Sequence, residues 1–158
     1  MNSKFSTLEY LRRLIDGSLP AGASTDMLYP TAISKTLGFR IAAIDSGYAR
    51  IEFDADAQIH GNQQGTVHGG MLCELADASI GTAHSTAILA GETFTSIDFK
   101  ISFFRPVWKS LLVAIAKPIQ QGKTITHYQC EIIRDDGKVV ALAMSTVMTL
   151  RGKAANGR

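Results

Sequence analysis

From His60 to Ala83 the chain reads HGNQQGTVHGGMLCELADASIGTA. The first half is polar and punctuated by glycine, which marks a loop. The double glycine Gly69-Gly70 then opens an alanine-rich stretch expected to be helical from about Gly70 to about Leu89, ending before Gly91. On a helical wheel Leu72, Leu75, Ala76, Ser79, Ala83 and Ala87 gather on one side, and Cys73, Glu74, Asp77, Gly81 and His84 on the other. Asp77 is therefore expected to face away from the apolar stripe.

Upstream of this segment, Ser6-Thr7-Leu8-Glu9 matches a capping box, with Leu8, Leu11, Leu14 and Ile15 on one helical face and Gly17 as the stop. Residues 18–35, with Pro20, Gly22 and Pro30, read as a loop and the most mobile part of the chain, with one turn of helix over Thr31–Leu37. Two β-type runs, Phe39–Asp45 and Tyr48–Asp54, flank the hairpin turn Ser46-Gly47. Downstream, Phe94–Phe104 alternates, with Ile97, Phe99, Ile101 and Phe103 opposite Ser96, Asp98, Lys100 and Ser102, the period of a half-buried strand. Arg105-Pro106 interrupts it. Leu111–Ile119, Thr124–Arg134 and Val139–Leu150 follow as strands, joined by turns at Gly122 and Asp135–Lys138.

One long helix between a hairpin and four further strands can bury its apolar face only if an antiparallel sheet curls around it, an α+β architecture. The side bearing Asp77 still needs cover, and a second copy of the chain is the simplest source. Residues 37–151 form the expected domain, residues 1–36 a helical extension of it that acts as a lid or packing element, and residues 152–158 a polar, disordered tail.

Composition narrows the function. The 158 residues are 46% hydrophobic and 19% charged, enough for one core, and the 16 basic and 14 acidic residues are scattered, with no footprint for nucleic acid. Cys73 and Cys130 lack metal-ligand spacing and neighbour no activating histidine, so they read as packing residues of a reduced compartment. No apolar run approaches the roughly 20 residues of a membrane helix, and no signal pattern opens the chain. The expected location is the cytoplasm, without a membrane partner.

Asn62 followed by GTVHGG and LADASIGTA, with TLGFR before and SIDFKISFFRPV after, resembles the hotdog-fold acyl-CoA thioesterases of the phenylacetate-pathway type over about Leu37–Leu150. The resemblance implies a curved antiparallel sheet wrapped around one central helix, assembled as a dimer or a dimer of dimers, and a small acyl-CoA substrate carrying an aryl or medium-chain acyl group. It implies Asp77 as nucleophile or general base, Gly69 as the N–H donor to the thioester carbonyl, Asn62 as a positioning amide and His68 beside the donor. A hydroxyl from the partner subunit matches Ser96, with Thr95 next to it. No metal or redox cofactor is implied.

The residues support such chemistry on their own terms. A helix N-terminus offers free N–H groups and the positive end of a dipole to a developing oxyanion, and glycine at Gly69 and Gly70 admits substrate close to the backbone. Asp77 lies eight positions beyond Gly69, roughly 12 Å along a regular helix, too far for both to meet one carbonyl carbon without irregularity. Glu74 is the rival carboxylate, and Gln63 and Gln64 are rival amides. Arg105, Lys109 and Arg151 are expected to meet the CoA phosphates. Two other activities fit the same residues: enoyl-thioester hydration through His68 and Asp77, and non-catalytic acyl-CoA binding.

Overall fold

The computed structural model describes residues 3–157. The central helix, here α4, runs Gly69–Ser85, after α1 (Thr7–Asp16), α2 (Ala32–Leu37), the hairpin β1 (Arg40–Asp45) and β2 (Tyr48–Asp56), and a one-turn helix α3 (Ala57–His60) inside the expected loop. Four strands follow: β3 (Thr93–Phe103), β4 (Lys109–Gln121), β5 (Ile125–Ile133) and β6 (Val139–Leu150). All six form one antiparallel sheet in the order β1-β2-β4-β5-β6-β3, leaving β1 and β3 at the edges. This is the α+β arrangement expected, with α4 packed against the sheet.

Side-chain size explains how close the helix can lie. Alternate residues of the four inner strands point inward: Ala49, Ile51, Phe53 and Ala55 of β2, Leu112, Ala114 and Ala116 of β4, Tyr128, Cys130 and Ile132 of β5, and Ala141, Ala143 and Val147 of β6 are all buried. Ala76, Ser79 and Ala83 of α4 meet this alanine-rich floor, while Leu72, Leu75 and Ile80 fill the space beside it. Each of these larger side chains contributes about 1.5–3 kcal/mol on leaving water.

Three local differences from the sequence reading have visible causes. The helix stops at Ser85 and not near Leu89, because the Thr86 hydroxyl donates to the carbonyls of Ala83 and Asp45 and ties the chain to the β1–β2 turn. His84, placed by the wheel with Asp77, is buried: the sheet curls far enough to cover that part of the helix. The alternation of β3 breaks at a bulge between Ser96 and Asp98, where Asp98 Oδ1 accepts the Thr146 N–H and the Asp98 carbonyl accepts the Ser145 hydroxyl; Ile97 is left 56% exposed. In addition, Gly152–Ala155, inside the tail expected to be disordered, form a 3-10 turn.

Residues 18–31 are tied down at several points. Tyr29 shares a 2.8 Å hydrogen bond with Ser85 of α4, Asp26 accepts the Gly91 N–H and pairs with Lys4, and the Ser24 carbonyl accepts the Phe5 N–H. The segment forms a strap across one face of α4.

Candidate active site

The chain enters α4 through His68, the N-cap, whose Nδ1 accepts the Gly70 N–H at 2.8 Å. That bond needs an unprotonated Nδ1, so the ring proton sits on Nε2. With Gly70 capped, and the Met71 N–H given to the His68 carbonyl, the Gly69 N–H is left without an acceptor among the described residues. It is an open donor at the positive end of a helix. The space beside it is tight: an added Cβ would sit 3.0 Å from Phe103 Cζ, so that ring would have to give by a few tenths of an ångström.

Asn62 fixes the loop before the helix. Its Oδ1 accepts the N–H groups of Gln64 and Thr66, and its Nδ2 donates to Thr66 Oγ1 at 3.1 Å. Asn62, Gln64, Gly69, Phe103 and Arg105 border one hollow of about 400 Å³. His68 and Gly70 face a different hollow, beside His60.

Asp77 opens into a larger cavity of about 600 Å³ between α4, the start of β3 and the strap. Burial pushes the Asp77 pKa up, and Glu74, in the same cavity, is raised first by burial and then by the charge of Asp77. Asp77 still reaches solvent at the cavity mouth. Cys73 and Cys130 are held as thiols, since burial raises both, Cys130 to about 12.

The remaining expected residues are dispersed. Ser96 is exposed and Thr95 half-buried on the edge strand β3, and neither borders the Asp77 cavity of its own chain. Arg105 donates to the Val139 carbonyl at 2.6 Å. Lys109 pairs with Asp56 at 3.3 Å. Arg151 is engaged by Glu92 and by the Lys123 carbonyl, at the opposite end of β6 from Arg105. Within one chain, then, Asn62, Gly69 and Arg105 come together, Asp77 and Glu74 come together, and the two groups occupy separate hollows. The feature not anticipated residue by residue is the strap, above all Tyr29, whose hydroxyl is kept protonated by burial; its only trace in the sequence is an aromatic residue within a polar loop.

The model of the thioesterase superfamily matches residues 64–141, which hold the helix entrance, Asp77 and strands β3 to β5. The acyl-coenzyme A thioesterase PaaI of Escherichia coli (strain K12) is 34% identical over 113 residues, covering 70% of this chain and 77% of that protein. The chain belongs to the thioesterase superfamily. It is a thioester hydrolase of the PaaI-like hotdog type. Among solved structures, the Escherichia coli PaaI protein from the phenylacetic acid degradation operon superposes with a TM-score of 0.75 at 26% identity, covering 93% of this thioesterase and 95% of that chain. A mutant of the phenylacetic acid degradation protein PaaI from Thermus thermophilus gives 0.69 at 26% identity, covering 75% and 98%. Among the described residues of this thioesterase, no helix is long and apolar enough to cross a membrane.

Proposed function

We propose that this thioesterase hydrolyses an acyl-CoA to the free acid and CoA at a site shared by two copies of the chain. The observation that carries the proposal is the division of the machinery: an open Gly69 N–H with Asn62 and Arg105 in one hollow, and a carboxylate of raised pKa in another. Two helical turns, roughly 12 Å, separate Gly69 from Asp77. A homodimer that sets Asp77 of one subunit opposite Gly69 of the other joins them. Ser96, exposed on the edge strand β3, is the hydroxyl proposed to orient the partner's carboxylate or its water in that dimer. The acyl-CoA thioesterase among the relatives supports the substrate class.

In this mechanism the thioester carbonyl oxygen accepts from Gly69 N–H, with the Asn62 amide beside it. Ionised Asp77 takes a proton from water as the water oxygen attacks the carbonyl carbon, and the negative charge moves to the carbonyl oxygen at the helix terminus. Collapse of that oxyanion restores C=O and breaks the C–S bond. The departing sulfur takes the proton from Asp77, leaving acid and thiol. Arg105, which borders the first hollow, is the cation proposed to meet the CoA phosphates. His68 Nδ1 is occupied by the Gly70 N–H and so is not free to accept a proton, which favours hydrolysis over hydration.

The test is free-thiol release from a panel of aryl and aliphatic acyl-CoA thioesters. Wild type should release thiol, and Asp77→Asn should lower the rate at least about a hundredfold. A wild type that binds these thioesters without cleaving them, or an Asp77→Asn protein of undiminished rate, overturns the proposal.

A further inference from the structure

Gly81 sits in the interior of α4, one turn beyond Asp77 on the same face, and borders the 600 Å³ cavity. A glycine at such a position weakens a helix by about 1 kcal/mol relative to alanine, so something should require it. The fold does not. Its φ is an ordinary helical one, and an added Cβ would meet only the Phe94 ring, at 3.7 Å, an ordinary contact distance. Gly69 differs, because there an added Cβ would press on the Phe103 ring at 3.0 Å.

What Gly81 spares is space in the cavity. That space continues from Asp77 toward the C-terminal end of α4, beneath the strap, where Tyr29 is bonded to Ser85. Its walls include Met27, Leu28, Ile33, Ala78 and Phe94, which give it an apolar stretch alongside Gly81; the carboxylates Asp26 and Glu92 also border it, held by Lys4 and Arg151. We infer that Gly81 is a specificity-determining residue, whose bare backbone keeps open an acyl channel beneath the strap. At roughly 30 Å³ per water-sized group, a chain of about ten carbons needs on the order of 300 Å³, about half of a cavity that is open at its mouth. The channel therefore suits an unbranched acyl group of about eight to twelve carbons, which buries its methylenes against the strap while its carbonyl stays at the Asp77 end. This inference rests on the acyl-CoA reading of the same site.

The experiment compares kcat/KM for acetyl-, butyryl-, octanoyl-, decanoyl-, dodecanoyl- and phenylacetyl-CoA in wild type, Gly81→Ala and Gly81→Leu, with each protein's oligomeric state measured alongside. Wild type should favour the eight- to twelve-carbon esters over acetyl- and phenylacetyl-CoA. Gly81→Leu should lower the decanoyl-to-butyryl ratio at least about tenfold, and Gly81→Ala should lower it less, since each methylene displaced from an apolar pocket is worth about tenfold or more. Met27→Ala, which widens the opposite wall, should move the optimum to longer chains and keeps the test available if Gly81→Leu does not fold. An unchanged chain-length profile in folded variants, or a wild-type preference for acetyl- or phenylacetyl-CoA, overturns the inference. So does a Gly81→Leu protein that slows all esters equally while its oligomeric state changes, because the glycine then serves a subunit contact. Absence of thiol release from every ester by wild type is a different failure, that of the hydrolase reading itself.

Discussion

Acidification should destabilise this protein through His84. Its side chain is 2% exposed, with Nδ1 3.2 Å from the Tyr128 hydroxyl, Nε2 3.0 Å from Thr149 Oγ1, and the Phe94 ring against it. Burial lowers its pKa from 6.5 to about 4; Glu92 opposes that shift and Arg151 adds to it. The folded protein thus keeps His84 neutral at pH values where the unfolded chain protonates it. Between the two pKa values the unfolded state binds more protons, so the contribution is complete above pH 6.5 and is lost as pH falls toward 4. Within that window each pH unit removes about 1.4 kcal/mol, and going from pH 7 to pH 5 removes about 2 kcal/mol, a large share of a typical domain stability. The assay is urea unfolding of wild type and His84→Gln at pH 7, 6 and 5. Glutamine does not titrate and keeps a donor and an acceptor for the two hydroxyls. The raised carboxyls of Asp77 and Glu74 contribute with the opposite sign, but they are common to both proteins and cancel in the difference. The stability gap between wild type and variant should shift by about 2 kcal/mol in the variant's favour from pH 7 to pH 5, at constant m-value. A gap that does not move with pH refutes the reasoning.

Other outcomes follow from the same geometry. The thiol-release rate should rise with pH through a pKa above the ordinary aspartate value of 3.8, because the base is the ionised form of a carboxyl raised by burial; a pH–kcat profile of wild type beside Asp77→Glu checks it. Gly69→Ala should lower kcat about tenfold or more while changing stability far less, since its Cβ, 3.0 Å from Phe103 Cζ, displaces either the ring or the N–H that polarises the carbonyl; kinetics and thermal melts read the two effects separately. Gly81→Ala should raise Tm by about 2–4 °C, the effect of about 1 kcal/mol in a chain of this size, whatever it does to chain-length preference. Asn62→Ala removes the acceptor for the Gln64 and Thr66 N–H groups and should increase hydrogen exchange in the loop before α4, along with a loss of activity.

The elements most legible in the sequence are those with local causes. Ser6 caps α1 and Gly17 ends it because both signals act within one turn, and β6 runs Val139–Leu150 as expected because the turn at Asp135–Lys138 and a mostly apolar run mark it without outside help. Long-range contacts set what the pattern missed. The end of α4 depends on Thr86 reaching the carbonyl of Asp45, forty-one positions away, and the phase of β3 depends on Asp98 bonding Thr146, forty-eight away. A helical wheel puts His84 on the Asp77 face because it has no information on how far a sheet wraps. At the site, the types of residue could be read and their grouping could not. Arg105 lies with Asn62 and Gly69, whereas Arg151 is held by Glu92 at the other end of β6. An arginine committed to an ion pair looks the same in sequence as one that borders a hollow.

The strand order has a consequence for biosynthesis. β3 pairs only with β6, Thr93 opposite Leu150 and Phe103 opposite Ala141. At a ribosomal pace of about 5–20 residues per second, β3 leaves the exit tunnel seconds before that partner, with no neighbour to accept its backbone groups. The nascent chain therefore carries an unpaired, aromatic-rich strand until the last strand emerges, and chains that stop before β6 expose it permanently. Demand for chaperones, and the insolubility of C-terminally truncated forms, should both trace to the eleven residues of β3.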